Sequence, residues 1–305
     1  MTTRRWLAGV VAAAVVLASC GSSGPTAATV NGEDIPRSDF EDDLDALAGL
    51  DGVVSQPVPQ NGSWSGDDVR FWLGVAIENE LKLQAVAEAG ESVTEQDRRA
   101  ADEALAADFG DAWQQAPEQA RATLTDIVAT DNAFARAIAV DAAEVQALYE
   151  TRPADAGTIC VRHIVVETED EANAVLEELA SGNDFAALAV EHSTEPAAAE
   201  TGGALTDQDG SPCIPLATFE ASFDPQFVAG ALEAVPGEPT EPVESSFGWH
   251  VILARPFDEV GDNVVADATN AGRPERIAEL RRDAEITTDP RYGRWDSELG
   301  GVVAS

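Results

Sequence analysis

At Gly157 the hydrophobic period of this 305-residue chain changes, which limits it to folds that join a helical region to a smaller mixed unit. Upstream, apolar residues recur every three to four positions. Phe40, Leu44 and Leu47, then Val69, Trp72, Leu73, Ala76, Ile77 and Leu81, each line one helical face. The spacing predicts a helix over 38–49, opened by Ser38 and Glu41 as a capping box. A second runs from Asp67 as its cap to Gly90, and a third from Thr94 and Asp97 to Gly110. Residues 117–149 are Ala-rich, with Leu124, Ile127, Val128, Phe134 and Ile138 at helical spacing. They make one long helix or two, divided at Asp131-Asn132 or at Asp141. Asn31-Gly32 suits a type I′ turn and residues 51–66 read as a loop, but the region as a whole reads as all-α.

Downstream, residues 160–166 form a short β-branched run of the kind a buried strand makes. Helices follow over 169–180, from Asn183, and from Pro225, with a Gly/Pro/Asp-rich loop over 195–217 between the last two. Strands at 241–243 and 249–253 give the order β-α-α-α-β-β, a compact α+β unit. A last helix is expected over 273–285. The boundaries expected are a helical region at 28–155, the α+β domain at 156–258, and a C-terminal helix and tail at 259–305.

Charge narrows the partners. Asp and Glu number 56 against 18 Lys and Arg, a formal net charge of −38. Nucleic acid is excluded as a partner, since phosphate binding needs a basic footprint, and anionic lipid is repelled as well. A membrane attachment therefore has to be covalent. Arg4 and Arg5 precede an apolar run, residues 6–18, too short to serve as a spanning anchor. It ends Leu17-Ala18-Ser19-Cys20, which resembles a bacterial lipobox. That resemblance implies a signal peptide over 1–19, lipidation of Cys20, a tether over 20–27, and an exported protein held at the outer face of the membrane. Two acyl chains give the stable anchoring that one does not. The alternative is an ordinary secretory signal with an incidental Cys, and both general and twin-arginine export stay open. Cys160 and Cys213 remain, a disulfide candidate in an oxidising compartment, the alternative being two buried thiols. No CxxC or HxxxH spacing occurs, so no metal site is expected.

Residues 156–257 resemble a parvulin-type peptidyl-prolyl isomerase domain. The segments that carry this are Arg162-His163-Ile164-Val165-Val166, Phe185 to His192-Ser193-Thr194-Glu195-Pro196, and Gly202-Gly203. They continue with Pro225-Gln226-Phe227, Val235-Pro236-Gly237-Glu238 and Phe247-Gly248-Trp249-His250-Val251-Ile252. The flanks resemble, more loosely, exported foldases of the SurA/PrsA kind, in which the N-terminal region and a returning C-terminal segment pack as a chaperone module. The resemblance implies catalysis of prolyl isomerisation without a cofactor, with unfolded or newly exported X–Pro polypeptides as partners. It implies His163 and His250 as paired histidines on adjacent strands, and Phe223 and Phe227 as a proline-binding wall with Leu232 behind. Glu195 falls where the family usually has Cys or Asp, and Phe247 where some relatives carry a hydroxyl.

Two departures bear on activity. The family's Gly-Gly-Asp-Leu-Gly run is Gly202-Gly203-Ala204-Leu205-Thr206 here, and the loop from Asp207 to Asp224 is longer and holds Cys213. A disulfide from Cys213 to the first strand at Cys160 would pin that loop. The departures leave a second reading, a catalytically inactive holdase on the same fold. A solute-binding lipoprotein needs two α/β lobes about a cleft, which the helical N-terminal half does not supply.

Overall fold

A computed structural model describes residues 25–50, 57–59 and 63–305. The signal peptide, Cys20, most of the tether and much of the 51–66 loop lie outside the described residues. Strands β1 (Thr26–Val30) and β2 (Glu33–Pro36) form a hairpin about Asn31-Gly32. Both turn residues have positive φ, 54° and 89°, as the expected turn type requires. Helix α1 (Arg37–Leu47) leaves the hairpin directly. The Ser38–Glu41 capping box does not form, because Pro36 is the N-cap and Ser38 already lies inside the first turn. The Arg37 N–H donates to the Pro25 carbonyl instead, satisfying an orphan donor through backbone.

Helix α2 (Gly66–Glu88) is capped by Ser65, not Asp67. The Ser65 hydroxyl accepts from the Asp68 N–H, and the Asp68 carboxylate accepts from the Ser65 N–H. Asp67 sits in the first turn, where the helix dipole favours it. Helix α3 (Glu95–Phe109) has the expected Thr94–Asp97 box. After the short α4 (Asp111–Gln115), the Ala-rich run is two helices, α5 (Glu118–Ala137) and α6 (Ala142–Thr151), and Asp141 caps the second.

The α+β unit follows: β3 (Thr158–Ile159), β4 (Val161–Val166), α7 (Glu169–Ala180), α8 (Phe185–His192), α9 (Ala198–Thr201), β5 (Ile214–Pro215), α10 (Leu216–Ser222), α11 (Pro225–Glu233), β6 (Val243–Ser245) and β7 (Gly248–Ala254). Strands β4, β7 and β6 make an antiparallel sheet with β7 central. One face, with Ile164, Val166 and Val251, packs under α7 and α8. The other, with Ile252, packs under Phe219 of α10 and Phe227, Val228 and Ala231 of α11. A disulfide joins Cys160 to Cys213, 53 residues apart, beside the β3–β5 pair. The segment expected as loop over 195–217 thus carries α9 and β5, and α10 was not expected.

Helix α12 (Phe257–Asp283) begins well before the expected Arg273. Its first half buries Val260 and Val264 against Val145 and Tyr149 of α6. Past Pro274, Ile277 and Leu280 pack on Ala85 and Val86 of α2 and Phe134 of α5. The chain then returns to its start: β8 (Ile286–Thr288) pairs with β1, giving a sheet of order β2-β1-β8. The hairpin of β9 (Arg294–Asp296) and β10 (Gly301–Val303) lies on α2, with Val302 in the core of that region. The N-terminal region is therefore not all-α: it holds a three-stranded sheet, one strand of which comes from the tail.

Candidate active site

The sheet brings the two histidines together. His163 on β4 pairs in register with Ile252, and His250 on β7 with Val165, so the two are diagonal neighbours on one face. Their rings stack at 5.4 Å with 14° between planes, and both are buried, at 6% and 4% exposure. Phe227 closes on both, its ring 5.1 Å from His163 and 4.9 Å from His250. Phe223 lies 5.8 Å from Phe227, and Phe219 stands behind the pair. Pro225 starts α11 at a position that needs no N–H, which fixes the turn carrying Phe223 and Phe227.

A cavity of about 390 Å³ opens here, lined by His163, Glu195, Phe223, Phe227, Phe247 and His250 together with Val165, Thr194, Leu205, Ser222 and Asp224. Phe247 is 76% exposed and forms the rim. Leu232 does not line the cavity; it packs against the apolar cluster behind Phe227.

Polar groups within the cavity form one continuous chain. Glu195 Oε2 is 2.8 Å from His163 Nε2, His163 Nδ1 is 3.2 Å from His250 Nδ1, and His250 Nε2 is 2.7 Å from Ser245 Oγ. Burial, then the neighbouring His163, lowers the His250 pKa from 6.5 to about 4, so this ring is neutral at pH 7. The His163 hydrogen bond holds the Glu195 carboxyl below its ordinary value, and an ionised carboxylate only accepts. With His250 neutral and Glu195 accepting, one consistent arrangement of protons follows. The Ser245 hydroxyl donates to His250 Nε2, His250 Nδ1–H to His163 Nδ1, and His163 Nε2–H to Glu195. The Ser245 oxygen in turn accepts the Phe247 N–H at 3.0 Å.

Sequence reading missed Ser245 and Asp224. The Ser245↔Gly248 register puts Ser245 diagonally opposite His250, and the tight turn at Phe247-Gly248 was the available signal. Asp224 caps α11, accepting the Gln226 N–H, and also accepts the Ser246 hydroxyl at 2.6 Å, which lowers its pKa. It thereby ties the β6–β7 turn to the wall helix. Behind the histidines, Gly203 is required: its φ is +76°, and a Cβ there would lie 2.3 Å from the His163 carbonyl oxygen.

Residues 164–255 match the family described as Rotamase, the PPIC-type PPIASE domain. The chain carries a PPIC-type PPIase domain. Its curated relatives are named as foldases. It is 33% identical over 139 residues to foldase protein PrsA of Clostridium kluyveri, a match covering 41% of this chain and 38% of that one. It is 30% identical over 145 residues to foldase protein PrsA 3 of Bacillus anthracis, covering 43% and 48%. The matches therefore span less than half the length of these relatives. Among solved structures, PrsA from Bacillus subtilis is similar at 18% identity and a TM-score of 0.29, over 86% of this chain and 93% of that one. The parvulin of Nitrosopumilus maritimus is similar at 31% identity and a TM-score of 0.28, over 32% and 96%. The matched residues contain His250, Glu195, Ser245 and the aromatic wall, and His163 stands one residue before them on β4.

Proposed function

We propose that this chain is a lipid-anchored, extracytoplasmic peptidyl-prolyl isomerase and chaperone for exported proteins. The observation that carries the activity is the cavity itself, an aromatic wall facing a fixed chain of hydrogen-bonded side chains that ends on the Glu195 carboxylate. Rotation about an X–Pro bond makes and breaks no covalent bond but crosses a barrier of roughly 18–20 kcal/mol. Twisting ends amide resonance and leaves the carbonyl less polar and the proline nitrogen a better acceptor. A site that is apolar on the proline side, with a few fixed polar groups beside it, binds the twisted form better than either planar one. Each ~1.4 kcal/mol of that difference gives about tenfold in rate. In this reading Phe223 and Phe227 hold the pyrrolidine ring, while Glu195, His163, His250 and Ser245 keep the polar side in one tautomeric arrangement.

Anchoring at Cys20 is supported by the lipobox-like sequence, and export by the Cys160–Cys213 disulfide, which suits an oxidising compartment. Among the described residues no helix is long and apolar enough to cross a membrane.

The test is cis/trans exchange of X–Pro peptides by NMR, with protein beginning at Gly21. Exchange should accelerate in proportion to protein and fall in Phe223→Ala and Glu195→Ala. Absence of acceleration by a folded, disulfide-intact protein would refute the isomerase reading and favour the holdase one.

A further inference from the structure

A second cavity of about 390 Å³ lies far from the histidines, between α1, α2 and α5 and beside β2. Its floor is apolar, built from Phe40, Leu44, Leu47, Trp72, Val75 and Ile127. Its rim carries four carboxylates, Asp34, Asp43, Glu80 and Asp126, and neither Lys, Arg nor His lines it. Asp126 pairs with Arg98 at 2.7 Å, whereas Asp34, Asp43 and Glu80 have no ion-pair partner among the described residues. Each of those three is met only by a neutral donor: Thr29 on Asp34, Thr123 on Asp43 and Gln84 on Glu80. Burial raises the pKa of both Asp43 and Glu80, and further acids add to this: Asp39, Asp42 and Asp126 around Asp43, and Glu33 near Glu80. The rim thus holds partly desolvated negative charge that the protein itself does not neutralise, above a floor that gains by excluding water.

We infer that this cavity binds polypeptide segments in which Lys or Arg flank large apolar residues. The apolar side chain covers the floor, and the flanking cations meet Asp43 of α1 and Glu80 of α2. That the occupant is a polypeptide rests on the reading of the chain as a chaperone; its basic and apolar character rests on the cavity alone. Complementary charge there also steers encounter and selects among clients. Acidic clients are turned away at the same rim.

The test uses protein beginning at Gly21 and short fluorescein-labelled peptides without proline. They share one Leu-Phe-Leu core and are flanked by Arg, by Ser or by Glu, and binding is read by fluorescence anisotropy. At low salt the Arg-flanked peptide should bind at least about tenfold more tightly than the Glu-flanked one, and the ratio should shrink as salt screens the rim. The double variant Asp43→Asn, Glu80→Gln should weaken the Arg-flanked peptide several-fold and leave prolyl exchange unchanged. It should fold, because it removes charges that burial disfavours. Ala122→Trp, at an exposed lining position, should weaken all three peptides. Equal affinity for the Arg- and Glu-flanked peptides, or an unchanged affinity in the double variant, overturns the inference. Loss of prolyl exchange in the unmodified protein overturns only the isomerase reading.

Discussion

Acid should act on this protein through His250 in a way that can be worked from the site. The ring is 4% exposed, and burial together with His163 lowers its pKa to about 4. In the unfolded chain the same group titrates near 6.5. Across that interval the unfolded state binds a proton that the native state refuses, so native stability falls with acidification. The contribution is whole above pH ~6.5, is lost progressively as pH falls through 4, and changes no further below that. An interval of about 2.5 pH units, at about 1.36 kcal/mol each, makes the loss about 3 kcal/mol. Asp224 and Glu195 oppose the shift by favouring the charged ring. With 56 carboxylates in the chain, total stability against pH does not isolate this effect. The measurement is therefore a difference: denaturant unfolding of the unmodified protein and of His250→Gln at pH 7 and at pH 4. The unmodified protein should lose about 3 kcal/mol more. Long-range proton–nitrogen NMR of the rings should show His250 neutral at pH 7 with its proton on Nδ1. A His250 that titrates near 6.5, or carries its proton on Nε2 at neutral pH, refutes the hydrogen-bond chain derived above.

Replacing both cysteines, Cys160→Ala with Cys213→Ala, releases a crosslink across 53 residues and should cost about 4 kcal/mol in denaturant unfolding under oxidising conditions. Helix α10 follows Cys213 almost at once and carries Phe219 and Ser222, so prolyl exchange should fall with it; an unchanged midpoint would contradict this. Gly203→Ala drives a Cβ into the His163 carbonyl and should cost more than about 2 kcal/mol, a fall in Tm of at least about 5 °C, whereas Ala204→Gly should stay within about 1 kcal/mol. Asp97 is buried, bonded to the Arg136 guanidinium and held to a pKa of about 2, so its contribution is present above pH ~3.8 and lost as pH falls toward 2. Because Arg136 is partly open to solvent, Asp97→Asn should cost about 2 kcal/mol at pH 7 and close to nothing at pH 2.

What the sequence made legible follows the length of the signal. Helices α1, α7 and α11 show several apolar residues on one face and lie where the spacing places them, and α3 lies between the Thr94–Asp97 cap and Gly110 that delimit it. Strands β8, β9 and β10 are three residues each, too short for an alternating pattern, and they form because distant partners, β1 and the face of α2, are waiting for them. The first half of α12 was hidden for a different reason: Gly261 and Gly272 are poor helix formers, and tertiary burial of Val260 and Val264 overrides them. Helix α10 offers little more than Leu216 and Phe219 as an apolar face, and Leu216, Phe219 and Phe223 packing together makes it. In the site, the histidines and aromatics were readable because strand alternation and the resemblance both point at them. Ser245 was not, because its role depends on a register that only the closed turn reveals.

The two departures from the parvulin pattern act differently on the case for catalysis. At Ala204 the family's acidic side chain is missing, but the segment is held to β4 through backbone. The His163 N–H donates to the Gly203 carbonyl at 2.8 Å, and the Leu205 N–H to Val161 at 3.1 Å. The strained position is Gly203, which is retained, so Ala204 leaves the frame intact. Glu195 is anchored two ways: the Thr194 N–H donates to the Val165 carbonyl at 2.8 Å, and Ser193 Oγ accepts from the Val165 N–H. From that fixed point its side chain reaches His163 Nε2 at 2.8 Å, which spends its extra methylene on the ring rather than on a substrate. Length should then matter more than charge. Glu195→Gln keeps the reach and an acceptor, whereas Glu195→Asp keeps the charge and falls short by over about 1 Å, enough to lose a positioned contact. Prolyl exchange should survive better in Gln than in Asp, and the His163 ring should keep its tautomer only in Gln. The reverse order, Asp active and Gln not, would mean that the carboxylate charge acts on the substrate directly and that the histidine chain is scaffolding.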